Sequence, residues 1–293
     1  MKQLYIFILV ICLPHFSVAQ APDIEWQNTI GGDVGDILSI TQTSDGGFII
    51  GGSSNSGISG DKSESCFGNN DYWVLKVDSI GNILWQNTIG GGGIDDLFSL
   101  SQTSDGGYVL GGTSNSDISG NKTVSAVSGS FDYWLVKLDS AGNIEWQKDI
   151  GGSGSDNLRY IQQTDDFGYI IGGYSNSPIS GDKTEASILG SDDYWIVKLN
   201  SLGSIEWDSN IGGNNQDVLW VIYQTIDKGF ILGGSSYSGI SGDKTEVNIA
   251  GSQDYWIIKL DSTGTIVWQN TIGGNFTDFL SDIKQTSDRG YIV

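Results

Sequence analysis

The sequence is poor in the residues that most enzymes and stapled folds depend on. Its 293 residues hold one histidine, two cysteines, one methionine and three prolines. The histidine, His15, and one cysteine, Cys12, fall within the first 19 residues. The rest of the chain therefore has no histidine for a nucleophile–histidine pair, a histidine general base or a histidine zinc site. Its single cysteine, Cys66, can form neither an intrachain disulfide nor a thiolate metal site, and reads as an isolated loop thiol. What remains is carboxylate, Tyr or Lys chemistry. Positive charge is scarce too: 14 Lys and Arg stand against 35 Asp and Glu. Such an excess opposes nucleic acid and anionic membranes, and suits calcium, cationic partners or solubility alone. The one long apolar run, Leu4–Leu13, follows Lys2 and precedes Ser17-Val18-Ala19. This is the pattern of a secretory signal peptide over residues 1–19, too short and wrongly flanked for a membrane anchor. Removing it takes Lys2 with it, so the net charge goes from −21 to −22. The expected location is secreted or at the outer cell surface, without membrane insertion.

What the chain has in abundance is repetition. Tryptophan recurs in a Trp-Gln-Asn-type segment at Trp26, Trp85, Trp146, Trp207 and Trp268, in steps of 59, 61, 61 and 61. Asp-Tyr-Trp ends at Trp73, Trp134, Trp195 and Trp256, always 61 apart. A fixed period of this size marks a propeller, solenoid or array. Each repeat holds four short runs rich in β-branched and aromatic residues, bounded by Gly, Asn, Asp and Ser. In the third they are Asp156–Thr164, Tyr169–Gly173, Asp193–Leu199 and Ile205–Ile211. No run has helical period with caps. The expected fold is an all-β propeller of four-stranded antiparallel blades over residues 20–293, with about 61 residues per repeat. The hairpin-type turns argue against a β-solenoid. Blades begin near residues 36, 96, 156, 217 and 278. Residues 24–30 read as an orphan fourth strand that closes the last blade. The strands count to nineteen, one short of a closed five-bladed ring. The missing one is an Asp-Tyr-Trp strand, so the chain reads as a fragment of a longer protein. Both tryptophan series are expected to pack between sheets.

Several motifs resemble known propellers. The runs Phe48–Gly52, Tyr108–Gly112, Tyr169–Gly173 and Phe230–Gly234 end in diglycine, like the second strand of a kelch blade, where glycine permits close packing near the axis. Thr-x-Asp-x-Gly-aromatic recurs around Asp45, Asp105, Asp166, Asp227 and Asp288. It is similar to the Asp-box of sialidase-like propellers, which implies structural turns remote from any catalytic site. Asp139-Ser-Ala-Gly142 with Trp146 resembles the tryptophan-docking repeat of quinoprotein propellers. The whole repeat resembles secreted repeat proteins of Bacteroidetes, a family that often carries a type IX sorting domain. That resemblance implies a secreted propeller and no particular activity.

The long loop between the second and third strands and the connection between blades share one face, and loops on a rigid scaffold are where binding sits. That face gathers Asp36, Asp96, Asp156, Asp217 and Asp278, and the Ser-Gly-Asp-Lys residues Asp61, Asp182 and Asp243, with Asn121 in the second copy. They can be read as calcium or glycan ligands, or as turn caps bonding their own backbone. No cofactor is expected, and calcium is the candidate that the acidic residues admit. Irregular positions stand out against this uniformity: Trp220, set against Phe98 or Tyr160 nearby in the motif, then Tyr174, Tyr237 and Arg159. No catalytic residue emerges. The reading is a non-enzymatic scaffold for a protein, glycan or calcium ligand. The alternatives are a carboxylate-dependent glycan-active enzyme, a quinone-binding propeller, or a purely structural module of a larger surface protein.

Overall fold

The computed structural model describes residues 24–34, 37–127 and 130–293. The signal-peptide segment and Asp36 lie outside the described residues. Four blades follow one another, each an antiparallel sheet in sequence order. The first is β1 (Ile37–Gln42), β2 (Phe48–Ser54), β3 (Asp71–Val77) and β4 (Ile83–Ile89). The second is β5 (Asp95–Gln102), β6 (Tyr108–Ser114), β7 (Asp132–Leu138) and β8 (Ile144–Ile150). The third is β9 (Asp156–Gln163), β10 (Tyr169–Ser175), β11 (Asp193–Leu199) and β12 (Ile205–Ile211). The fourth is β13 (Asp217–Gln224), β14 (Phe230–Ser236), β15 (Asp254–Leu260) and β16 (Ile266–Ile272). A short pair, β17 (Lys284–Gln285) and β18 (Tyr291–Ile292), opens a fifth. The first strand of each blade touches the first strand of the next, which puts β1, β5, β9 and β13 innermost and β4, β8, β12 and β16 outermost. This is the propeller arrangement, and among the described residues the sheets do not close into a ring.

The Asp-Tyr-Trp strand joins neighbouring blades. Its tyrosine reaches into the following blade: Tyr72, Tyr133 and Tyr194 donate to the carbonyls of Trp134, Trp195 and Trp256 at 3.0, 3.1 and 3.1 Å. The same pairs touch ring to ring, with centroids 4.7, 4.8 and 5.1 Å apart. Trp73, Trp134, Trp195 and Trp256 are wholly buried. A buried aromatic that also satisfies its polar atom contributes both area and orientation. Glycine lets the inner strands approach: a Cβ on Gly111 would meet Leu158 and Ile161 of the next blade at 3.0 Å. The other tryptophan series is partly exposed and meets a second-strand aromatic edge to face, as in Trp85–Tyr108 and Trp146–Tyr169.

Residues 24–30, expected as a strand, have no ladder among the described residues. They nevertheless make the contacts of a fourth strand. Trp26 meets Phe48 at 5.9 Å, Asn28 donates to the Gly81 carbonyl, and the Gly31 carbonyl accepts from Asp61 N. Trp85, Asn87 and Gly90 do the same one repeat later.

Candidate functional site

The long loop returns to the connection entering its blade. Asp61, Asp182 and Asp243 accept from the amides of Gly31, Gly151 and Gly212 at 3.1–3.2 Å. Their own amides donate to the carbonyls of those glycines. Asn121 makes the same pair of bonds with Gly90. These side chains act as clamps between blades, and burial raises the Asp182 and Asp243 carboxyls above their ordinary range. The lysine that follows is hidden: Lys62, Lys122, Lys183 and Lys244 are each 1% exposed. Their ammonium groups lie 5.0–5.6 Å from the Trp73, Trp134, Trp195 and Trp256 rings. Thr88, Asp149, Asn210 and Thr271 accept from them. Burial lowers the Lys183 and Lys244 ammoniums to about 8.

The blade-entry aspartates are equally engaged. Asp156 and Asp217 have no exposure. Each accepts from a connection glycine and from a loop serine: Gly152 and Ser177, or Gly213 and Ser238. In the second blade this role belongs to Asp95, which takes Gly91 and Ser116, and not to Asp96. Asp96 sits one residue further on and accepts from Asn70 at 3.0 Å. Asp278 accepts from Gly274. The Asp-Tyr-Trp aspartates are buried beside them, and burial lifts Asp71 and Asp193 to about 6. Asp132 and Asp149 are both pushed upward, first by burial. Asp71, Asp95, Asp132, Asp156, Asp193, Asp217 and Asp254 have no exposure, whereas Asp96 and Asp278 are half-buried. Among the described residues no group of three His, Cys, Asp or Glu side chains is placed to hold a metal ion.

The opposite face carries the Thr-x-Asp-x-Gly turns. Asp45 accepts from Thr43, from the Gly47 amide and from Lys76. Asp105, Asp166 and Asp227 repeat the pattern with Lys137, Lys198 and Lys259. Asp288 keeps the Thr286 and Gly290 bonds. Hydrogen bonds from the turn and the lysine hold Asp105, Asp166 and Asp227 at about 2, against the upward pull of partial burial. Cys66, in the long loop, is half-buried and donates its thiol to the Ser54 carbonyl at 2.9 Å, as Ser187 does to Ser175.

The irregular residues behave differently. β5, β9 and β13 each carry a bulge: the register slips between Leu97 and Ser99, between Leu158 and Tyr160, and between Leu219 and Val221. The extra residues are Phe98, Arg159 and Trp220, each 61 apart. A bulge leaves one residue out of the ladder and re-aims its side chain. On adjoining innermost strands, three such side chains meet. The Arg159 guanidinium carbon lies 4.1 Å from the Phe98 ring centre and 5.2 Å from those of Trp220 and Tyr174. Its Nη2 donates to the Tyr174 hydroxyl at 2.8 Å. Arg159 Nε and Trp220 Nε1 are buried without a partner. Tyr174, at the end of β10, stands where other blades have Ser53, Thr113 and Ser235. Trp220 and Tyr174 are thus brought together, with Arg159 between them as the centre that residue type alone did not rank first. Tyr237 is apart: 44% exposed, it occupies the loop position of Asn115 and Asn176 and donates its amide to Gln216. The larger surface clefts, about 310–340 Å³, lie between outer strands and at the turn face, away from this cluster.

No family model matches the chain, and no curated protein matches it. Among solved structures it is similar to a protein of unknown function from Bacteroides caccae, at 12% identity and a TM-score of 0.31, over 81% of this chain and 82% of that one. It is also similar to BamB from Moraxella catarrhalis, at 15% identity and a TM-score of 0.33, over 81% of this chain and 78% of that one.

Proposed function

We propose that the chain is an exported propeller-type binding scaffold, acting outside the cell, whose ligand seats on the axial row of Phe98, Arg159 and Trp220 with Tyr174. The observation that carries this reading is the convergence of irregular residues at one point of a regular frame. The repeated polar residues of the loop face are consumed by blade-to-blade hydrogen bonds and leave little for a partner. The bulged residues are not part of that frame, and they combine aromatic surface with unmet donors, the composition of a recognition site. Export rests on the signal-peptide pattern of residues 1–19. The test is a panel of oligosaccharides and peptides against the full chain and Trp220→Ala. We expect the ligand that binds the parent to lose tenfold or more on the variant while the circular dichroism stays the same. Equal binding by both proteins contradicts the axial site.

A further inference from the structure

We infer that the axial site reads a single carboxylate carried on a sugar ring; this rests on the axial row being the ligand site. Arg159 lies within a chain of 35 acidic residues, yet it has no ion pair among the described residues. The buried lysines nearest the turn face, Lys76, Lys137, Lys198 and Lys259, all have carboxylate partners at 2.9–3.1 Å. Among the described residues Arg159 has one hydrogen bond, donated to the Tyr174 hydroxyl, which fixes the plane of its guanidinium. The Tyr174 hydroxyl therefore orients the fork without neutralising it.

Within the cluster of Phe98, Arg159, Tyr174 and Trp220 the unmet groups are donors. Arg159 Nε and Trp220 Nε1 lack acceptors, and the guanidinium offers further N–H groups at its edge. An ionised carboxylate is acceptor-only, and its two oxygens match the spacing of a guanidinium fork. A cationic ligand group is repelled here, and a neutral hydroxyl can accept from one N–H but lacks the charge and the paired oxygens that the guanidinium fork matches. Phe98 is 41% exposed, and beside the Arg159 guanidinium stacked on it it offers apolar surface for the C–H face of a sugar ring.

Charge limits the ligand further. A formal net charge near −22 after leader removal repels polyanions over the roughly 8 Å that ionic screening allows at physiological salt. One carboxylate held directly on a guanidinium escapes most of that field; a run of them does not. The ligand is thus a mixed saccharide with one acidic residue, and not a polyuronate or a sulfated chain.

Calorimetric titration of the full chain tests this with four probes. They are a disaccharide of glucuronic acid on a neutral sugar, its carboxyl-reduced counterpart, a polyuronate, and a short peptide with a free C-terminal carboxylate. We expect the acidic disaccharide to bind, reduction of the carboxyl to weaken it tenfold or more, and the polyuronate to bind more weakly per carboxylate. Arg159→Lys keeps charge but loses the fork, and should weaken binding about tenfold; Arg159→Ala should abolish it. Equal binding of the acid and its reduced form, still lost in Trp220→Ala, overturns the carboxylate and leaves the axial site standing. Arg159-dependent capture of the peptide alone overturns the sugar. Failure of all four probes overturns the inference as a whole.

Discussion

Asp156 and Arg159 are three residues apart on β9 and obey opposite rules. Asp156 has counterparts at Asp95 and Asp217, and in these three blades the aspartate has no exposure and is bound to a connection glycine and a loop serine. Arg159 has Phe98 and Trp220 as counterparts, and β9 bulges to let it leave the ladder. The difference teaches how a repeat can carry a site. Positions that clamp blades are held to one residue by geometry. Positions lifted out of the ladder are free of that demand, and chemistry can be placed there at little cost to the fold.

The frame should break hardest at its shared aromatics. Trp195→Ala removes a wholly buried ring on which Tyr133 packs. It should cost about 3–5 kcal/mol in urea unfolding. A loss below about 1 kcal/mol would show that the blades are held elsewhere. Gly212→Ala should come next. The new Cβ would overlap the Asp193 carboxyl, and overpacking of this kind costs about 1–3 kcal/mol. The same change at Gly239, with open space around its Cα, should be near neutral in the same assay.

pH should separate the two faces. Asp71 and Asp193 have folded-state values near 6, above the roughly 3.9 of an unfolded aspartate. Between those values the folded chain binds more protons, so stability should rise as pH falls from about 8 toward 5. Asp105, Asp166 and Asp227 are shifted the other way, to about 2. Their contribution is present above pH 4 and is lost as pH falls through 2. Thermal unfolding across this range should therefore peak on the acid side of neutrality. A flat profile from pH 8 to 5 would mean that the buried aspartates are solvated.

The smallest effect belongs to the turns. Phe167 adopts φ 66° where the first two blades have glycine, and it is 60% exposed. Phe167→Gly should stabilise by about 0.5–1 kcal/mol, since glycine takes this conformation without strain. A loss of stability would show that the ring makes contacts that matter.

Much of the frame was legible because period and pattern agree. The strands β2 to β16 fall where turn residues bound apolar runs, and the buried tryptophans lie where packing was expected. Residues 24–30 have strand composition but no ladder, because a strand is defined by a neighbour and none adjoins them among the described residues. Asp95 rather than Asp96 makes the blade-entry bonds of the second blade; the two aspartates are adjacent, and the strict step of 61 back from Asp156 picks Asp95. The lysines of the Ser-Gly-Asp-Lys segments lie in polar loops, where nothing in the spacing marks them as buried. They are buried because each finds an acceptor and a tryptophan face. Trp220, Tyr174 and Arg159 were visible as irregularities, but only the bulges bring them together, and a bulge has no sequence mark here. Arg159 was nonetheless the one cation at a position that is aromatic in neighbouring copies.

The most direct measurement is a paired one on Arg159→Ala: the unfolding free energy, and the affinity for the glucuronic acid disaccharide. Phe and Trp fill the same position in other blades, so stability should change by about 1 kcal/mol or less, while binding should be lost. A variant that unfolds much more easily, or one that binds as the parent does, would contradict the division between a repeated frame and an irregular site.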